Sequence, residues 1–268
     1  MADFTDLVVL ITGASTGIGR ATAIAFAGAG ARVALAARSA DALAQLAAEL
    51  GGPERAIAIP TDVSDPAQCE RLIERTVAHF GGIDILVNNA GMIVSGLFEK
   101  LQPGDMDRQF AVNFFGATTC TRLALPHLKA RRGVVINVSS VAGLIGTPTS
   151  SAYSASKAAM NAWSRGLWVE LQPDGVGVVT VCPYFTSGVQ LAEKGILRGG
   201  SLHSTPKKSR RAPGTQTTEQ VARAILKAAR RRPRIVVLSP VGKLVWLIDR
   251  LFPWLTDWIM ARGLPRLL

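Results

Sequence analysis

Leu7-Val8-Val9-Leu10-Ile11-Thr12-Gly13-Ala14-Ser15-Thr16-Gly17-Ile18-Gly19 is the stretch that decides the fold. Its continuous apolar run, Leu7–Ile11, reads as a strand buried on both faces. A glycine-rich turn follows, and then a helical pattern to about Ala29. Glycines at 13, 17 and 19 let the backbone turn tightly and let a ligand come close. Free N–H groups at the start of the helix suit a pyrophosphate. The spacing is GxxxGxG, not the commoner GxGxxG, so the reading rests on the strand–turn–helix setting. In that setting Gly13, Ser15, Thr16, Gly17, Ile18 and Gly19 are candidate contacts to a dinucleotide. Taken alone, the glycines would equally suit a structural turn.

Working outward, apolar runs keep alternating with helical patterns. Strands are expected at Val33–Ala36, Ala56–Ile59, Asp84–Val87, Val134–Val138, Val176–Val181 and Ile235–Leu238. Helices are expected at Ala40–Leu50 with Ser39 as N-cap, and at Pro66–Phe80 ended by Gly81-Gly82. Others follow at Asp105–Ala130, Tyr153–Leu171 and Thr218–Arg230. Strict alternation implies parallel pairing and right-handed crossovers. The expected fold class is therefore α/β: a doubly wound parallel sheet of about seven strands, helices on both faces, and a C-terminal amphipathic tail. Residues 1–240 form one domain, with a substrate loop at about 188–217, and residues 241–268 form the tail.

The end of the second strand selects the cofactor. An acid there would hold the ribose 2′-hydroxyl of NAD, whereas an arginine accommodates the 2′-phosphate of NADP. Ala37 and Arg38 stand at that place, and no acid occurs between Ala31 and Ala40. This favours NADP(H) over NAD(H), with Arg38 as a candidate phosphate ligand. The plain alternative is an arginine lying over the sheet edge.

Tyr153 and Lys157 lie four apart on one face of an expected helix. A nearby positive charge lowers a tyrosine's pKa, which suits it to exchange a proton with a carbonyl or alcohol oxygen. Ser140 follows the fifth strand, at the sheet edge where such folds bind ligands.

The TGxxxGIG turn, Asp62-Val63, Asn88-Asn89-Ala90-Gly91, Asn113, Ser140 and Tyr153-Ser154-Ala155-Ser156-Lys157 occur in a specific order and spacing. Together they resemble the short-chain dehydrogenase/reductase family, from Thr12 to about Thr186. The resemblance implies a Rossmann fold with Tyr153 as general acid/base. Lys157 would depress its pKa and bind the nicotinamide ribose, and Ser140 would steady the substrate oxygen. Asn113 would hold a water linking Lys157 to bulk protons. Asp62 and Val63 would lie against the adenine. Asn88 would reach the adenosine-side ribose, with Ala90 and Gly91 lining that wall. It also implies a homodimer or homotetramer built on the two long helices.

One departure stands out. The family has Pro-Gly after strand six and then a hydroxyl residue that meets the nicotinamide amide. Here Pro183-Tyr184-Phe185-Thr186-Ser187 replaces it. Either Thr186 or Ser187 can take that part, with Pro183 beside it. Leu144 and Tyr184 are candidate substrate contacts. The apolar Val141–Ile145 stretch suggests a lipophilic or bulky substrate, while core packing explains Phe185 as well.

The expected activity is NADP(H)-dependent interconversion of a ketone or aldehyde with an alcohol. A 3-oxoacyl-thioester reductase is an alternative. A nucleotide-binding interaction protein without catalysis is another, but it predicts damage to the Ser/Tyr/Lys set, and that set is intact.

Composition bounds the rest. The 268 residues are 48% hydrophobic and 18% charged, a globular balance that excludes a disordered chain. Cys69, Cys120 and Cys182 are widely spaced, so neither a disulfide framework nor a metal site is expected. No uninterrupted apolar run has transmembrane length, and the N-terminus lacks a basic signal region, so a cytoplasmic location is expected. The net charge of +11 is concentrated: Lys194–Arg234 holds twelve Lys/Arg and one acid, Glu219. Without interleaved aromatics this segment does not point to nucleic acid, and a solvated loop and helix face is the simpler reading. The tail carries Trp246, Trp254 and Trp258. It places Leu244, Leu247, Ile248, Leu251, Leu255, Trp258 and Ile259 on one helical face. Pro253 should kink or split it. The tail suits three roles: capping the core or a subunit interface, covering the substrate site, or peripheral contact with a membrane.

Overall fold

The opening apolar run forms strand β1 (Val8–Thr12), buried at every position, as a strand covered on both faces must be. The computed structural model describes residues 4–189, 195–198 and 213–263. Six strands join β1 in one sheet: β2 (Arg32–Ala37), β3 (Ala56–Pro60), β4 (Ile85–Asn88), β5 (Val134–Val138), β6 (Gly177–Cys182) and β7 (Ile235–Val237). Their spatial order is β7-β6-β5-β4-β1-β2-β3, and every pairing is parallel. The order reverses between β1 and β4, which opens a crevice at the carboxyl ends of these strands.

Helices cover both faces. On one lie α1 (Gly17–Gly28), α2 (Ala40–Glu49) and α7 (Thr218–Arg231), closing a core that includes Phe26, Leu43, Val221 and Ile225. On the other lie α3 (Pro66–Phe80), α5 (Gly116–Ala130) and α6 (Ser151–Glu170), over Leu72, Cys120, Leu128 and Leu171. Local chemistry sets several helix ends. Asp65 accepts from the amides of Ala67 and Gln68 with Pro66 in the first turn, and Gly81 ends α3 in the left-handed region at φ 80°. A capping box between Thr217 and Gln220 starts α7. Ser39 sits at the N-cap of α2, but its hydroxyl makes no capping bond.

The stretch Asp105–Ala130 is not one α-helix. Helix α4 (Asp105–Phe110) passes through a π turn, Ala111–Phe115, into α5. The turn carries Asn113 near its centre. Two short parallel pairings flank the crevice: Val94–Ser95 with Ile196–Leu197, and Thr186–Ser187 with Gln216–Thr217. The parts of the expected substrate loop at 190–194 and 199–212 lie outside the described residues. The tail splits at Phe252, as Pro253 requires, into α8 (Pro240–Leu251) and α9 (Pro253–Gly263).

Candidate active site

The glycine turn is held by its neighbours as much as by its own flexibility. Gly13 and Gly17 have φ of 66° and 56°, a region that favours glycine. Gly13 lies so close to β4's exit that an added methyl would stand 2.8 Å from Ala90 Cα. Thr12 Oγ1 accepts from the amides of Asn89 (3.0 Å) and Ala90 (3.1 Å). Asn89 Nδ2 donates to the carbonyls of Thr12 (3.0 Å) and Gly13 (3.2 Å). Asn89, part of the quoted motif but not assigned a role, is therefore the brace of the turn. Thr16, the N-cap of α1, makes no side-chain capping bond. The helix start is thus shaped for an anionic group at its amides. Ser15 and Ile18 line the same turn, with Ile18 packed against the core.

Arg38 is exposed just beyond β2 and makes no hydrogen bond or ion pair to any described residue. Asp62 Oδ1 accepts from Ser64 N (3.0 Å) and Ser64 Oγ (2.7 Å), which turns the carboxylate into its own loop. Val63 is buried and packs on Gly116. Ala90 and Gly91 line the strand exit, Ala90 half-buried and Gly91 exposed. The Asn88 side chain is turned away from the crevice. It is buried, and its amide donates to Thr121 Oγ1 (2.9 Å) and Asn137 Oδ1 (2.8 Å). It is still in β4, and its parity is that of Leu86, so it faces the helix layer rather than the crevice.

The Ser140, Tyr153 and Lys157 side chains do converge. Ser140 follows β5, accepts from Ala142 N (3.1 Å), and lowers the pKa of the neighbouring Tyr153 phenol. Lys157 Nζ donates to the Val138 carbonyl (2.9 Å) and lies 5.9 Å from the Tyr153 ring centroid. Ser139 Oγ donates to the Lys157 carbonyl (3.2 Å) and fixes the helix on the strand end. Burial dominates both ionisations. It pushes Tyr153 up to about 12, against the lowering effect of Ser140. It pulls Lys157 down to about 8. Removal from water is the larger influence on the tyrosine, and the lowering beside it comes from Ser140.

Asn113 is fully committed. Its Oδ1 accepts from Met92 N (2.8 Å), and its Nδ2 donates to Met92 O (3.0 Å) and Ser156 Oγ (3.0 Å). This ties the π turn both to the segment after β4 and to the tyrosine's helix, a recurrent use of such turns. Cys182, which the sequence gave no reason to single out, lies near Lys157, and burial pushes its thiol up to about 12.

Beyond Ser140, Pro183 is buried and its carbonyl accepts from Val141 N (2.9 Å). Tyr184 and Leu144 pack with Val141, Ile145, Trp246 and Met260. Thr186 Oγ1 donates to the Tyr184 carbonyl (3.1 Å), and Ser187 Oγ to that of Gln216 (3.2 Å). Phe185 is 60% exposed, which removes core packing as its role. A largely apolar groove of about 610 Å³ lies between the 142–148 loop, α6 and α9, with Leu144, Ile145, Ala155 and Met260 among its walls. Among the described residues no cluster of His, Cys, Asp or Glu could hold a metal ion.

A braced glycine turn at the switch point, with a Ser/Tyr/Lys set at the neighbouring strand end, defines a nucleotide-binding oxidoreductase acting on CH–OH groups. The profile of the short chain dehydrogenase family matches residues 7–195. An Arabidopsis thaliana protein named 11-beta-hydroxysteroid dehydrogenase-like 2 is 34% identical over 260 residues, covering 96% of this chain and 81% of that protein. A Burkholderia phymatum short-chain dehydrogenase/reductase, solved in complex with NAD, superposes with a TM-score of 0.81. It is 26% identical over 96% of this chain and 97% of that one. An alcohol dehydrogenase from Thermococcus sibiricus, complexed with 5-hydroxy-NADP, gives 0.77 at 26% identity over 88% and 97%. The chain belongs to the short-chain dehydrogenase family, and its cofactor is a nicotinamide dinucleotide. Its crevice fits that group: the glycine cradle has no room for a Cβ at Gly13 or Gly19.

Proposed function

We propose that the protein is an NADP(H)-dependent oxidoreductase that interconverts a ketone or aldehyde with an alcohol on a lipophilic or bulky substrate. The observation that carries the cofactor choice is Arg38, an exposed guanidinium beyond β2 with no partner among the described residues. A 2′-phosphate beside it would gain charge-assisted hydrogen bonds that a 2′-hydroxyl cannot supply. The apolar wall of Leu144, Ile145 and Tyr184 supports a lipophilic substrate, as does the likeness to the Arabidopsis protein named 11-beta-hydroxysteroid dehydrogenase-like 2.

In this reading the glycine turn and the α1 amides would hold the pyrophosphate, and Lys157 would reach the nicotinamide ribose. Bound there, a nicotinamide would supply hydride chemistry. The chain's own part is the proton. Tyr153 donates it to the substrate oxygen during reduction and takes it back during oxidation. Ser140 gives that oxygen a second hydrogen bond. The Lys157 ammonium favours the phenolate form against the cost of burial. Asn113 acts as a positioning residue that locks Met92 and Ser156 around the lysine. Assembly as a homodimer or homotetramer through α5 and α6 is part of the proposal. Exposed Phe115 and Val169 on this side of the sheet support it.

The test is a fluorescence titration with NADPH and with NADH, on the wild type and on Arg38→Ala. Losing hydrogen bonds to a charged group predicts about a 10- to 100-fold weaker NADPH affinity in the variant, with NADH unchanged. Equal affinity for both cofactors in the wild type would overturn the NADP assignment.

A further inference from the structure

The two tail helices have an inner and an outer face of different fate. Gly242, Val245, Trp246 and Met260 turn inward, against Val141 and Tyr184 of the substrate wall. Thr256 Oγ1 ties α9 to α8 by donating to Asp249 Oδ1 (2.8 Å). The tail is therefore anchored on the domain. The outer face is left bare: Leu244, Leu247, Leu251, Phe252, Trp254, Trp258 and Ile259 are all at least half exposed, Trp254 the most at 67%. Leu244, Leu247 and Leu251 make an i, i+3, i+7 stripe along α8.

Cations flank this face. Lys243 and Arg250 lie along one side of the leucine stripe, and both are exposed. Arg262 lies over the Trp258 ring, its guanidinium carbon 3.8 Å from the centroid. Of the two acids on these helices, Asp249 accepts from Thr256, and Asp257 is exposed and borders the groove beside α6. No described helix is long and apolar enough to cross a membrane.

We propose that the outer face of α8 and α9 seats the protein on an anionic lipid surface. Tryptophan, phenylalanine and leucine on one face, with lysine and arginine at its border, are the composition of a helix lying in the headgroup region. Aromatic rings sit at that depth, and long basic side chains extend from it to lipid phosphates. The excess of cations matches anionic headgroups in sign. A second copy of this chain is a poorer occupant, since it would set the same cations against one another. Protein interface cores are also depleted in lysine.

Vesicles test this directly. The full chain is mixed with phosphatidylcholine vesicles, with or without phosphatidylglycerol, and partitioning is read by flotation. Tryptophan quenching by bilayer-brominated lipid reports depth. The wild type should float with the anionic vesicles, more weakly as salt rises, and show quenching. Leu247→Glu/Trp258→Glu should lower the partition coefficient about a hundredfold, from the lost burial of two large apolar side chains. Trp254→Phe/Trp258→Phe should float but lose most of the quenching. Unchanged circular dichroism and thermal unfolding establish that the variants are folded. Three results would overturn the proposal. One is wild-type protein that ignores both vesicle types. Another is flotation that survives the Leu247/Trp258 change, which assigns the attraction to the basic 194–234 segment. The third is a wild-type dimer that this change converts to monomer without any vesicle binding, which assigns the face to a second copy.

Discussion

Asp105 and Arg198 clasp the Ile196–Arg198 strap to the segment after β4, and cutting this clasp has a calculable effect. Arg198 donates two hydrogen bonds of 2.8 Å, Nε to Oδ2 and Nη2 to Oδ1 of Asp105. The carboxylate also accepts from Gln102 N (2.8 Å), and its side chain is only 2% exposed. On the same strap the Arg198 amide donates to the Ser95 carbonyl (2.8 Å) and the Ile196 amide to that of Ile93 (3.0 Å). The guanidinium, with help from Gln102, holds the Asp105 carboxyl at about 2, down from 3.8. A depression of that size is worth about 2 kcal/mol. Because the folded pKa is lowered, this stability is fully present above pH 4 and is lost as pH falls from about 4 through about 2. Asp105→Asn keeps an acceptor for Gln102 but removes the charge. Thermal unfolding at pH 7 should show a Tm lower by about 4 °C. The difference between variant and wild type should shrink below pH 4. The KM for substrate should rise more than kcat falls, because the strap borders the crevice without touching the chemistry. A variant with unchanged Tm and a parallel pH profile would refute the reasoning.

Two further outcomes follow from the site. Gly19→Ala would drive a methyl into the Gly13 carbonyl and to 2.5 Å from Asn89 Nδ2. It should destabilise by about 2–3 kcal/mol and abolish cofactor binding in the same fluorescence titration. A stable variant that binds normally would show the cradle is looser than described. Lys157→Met should abolish turnover while raising the Tm at pH 7. The buried lysine's pKa is lowered to about 8, so its charged form costs stability below pH 8, and that cost is relieved as pH rises from 8 toward 10.5. The stability gap between wild type and variant should therefore narrow over that range, and a gap independent of pH would contradict it.

The alternation of strands and helices was legible because parallel strands must be apolar on both faces, so each run declares itself. The Ser140, Tyr153 and Lys157 convergence was legible for a similar reason: i, i+4 spacing fixes a helical face, and a strand end fixes a place in this fold. The π turn at Ala111–Phe115 was not. Nothing local marks it; what holds it is Asn113 bonding to Met92, twenty-one residues away in sequence. The tyrosine's burial was not legible either. A charge four residues away is visible in sequence, but the depth of burial that raises the tyrosine's pKa is a property of the assembled core. Asn88 differs from these, because the signal was present. Asn88 shares the parity of Leu86 within β4 and must share its face, whereas Asn89 is the first residue free of the ladder and turns toward the glycines.

The tail shows what an apolar stripe can and cannot establish. Helical periodicity put Leu244, Leu247, Ile248, Leu251, Leu255, Trp258 and Ile259 on one face, as if a single surface would cover them. The break at Phe252 reorients the second helix, and the domain takes Val245, Trp246 and Met260 instead. Ile248 and Leu255 end half-buried while the other five stay in water. A stripe therefore announces that something is to be covered, and only the packing shows which part the fold itself covers. Here the inward part rests on Val141, next to Ser140. Whatever engages the outer face thus lies one helix thickness from Val141 and Tyr184.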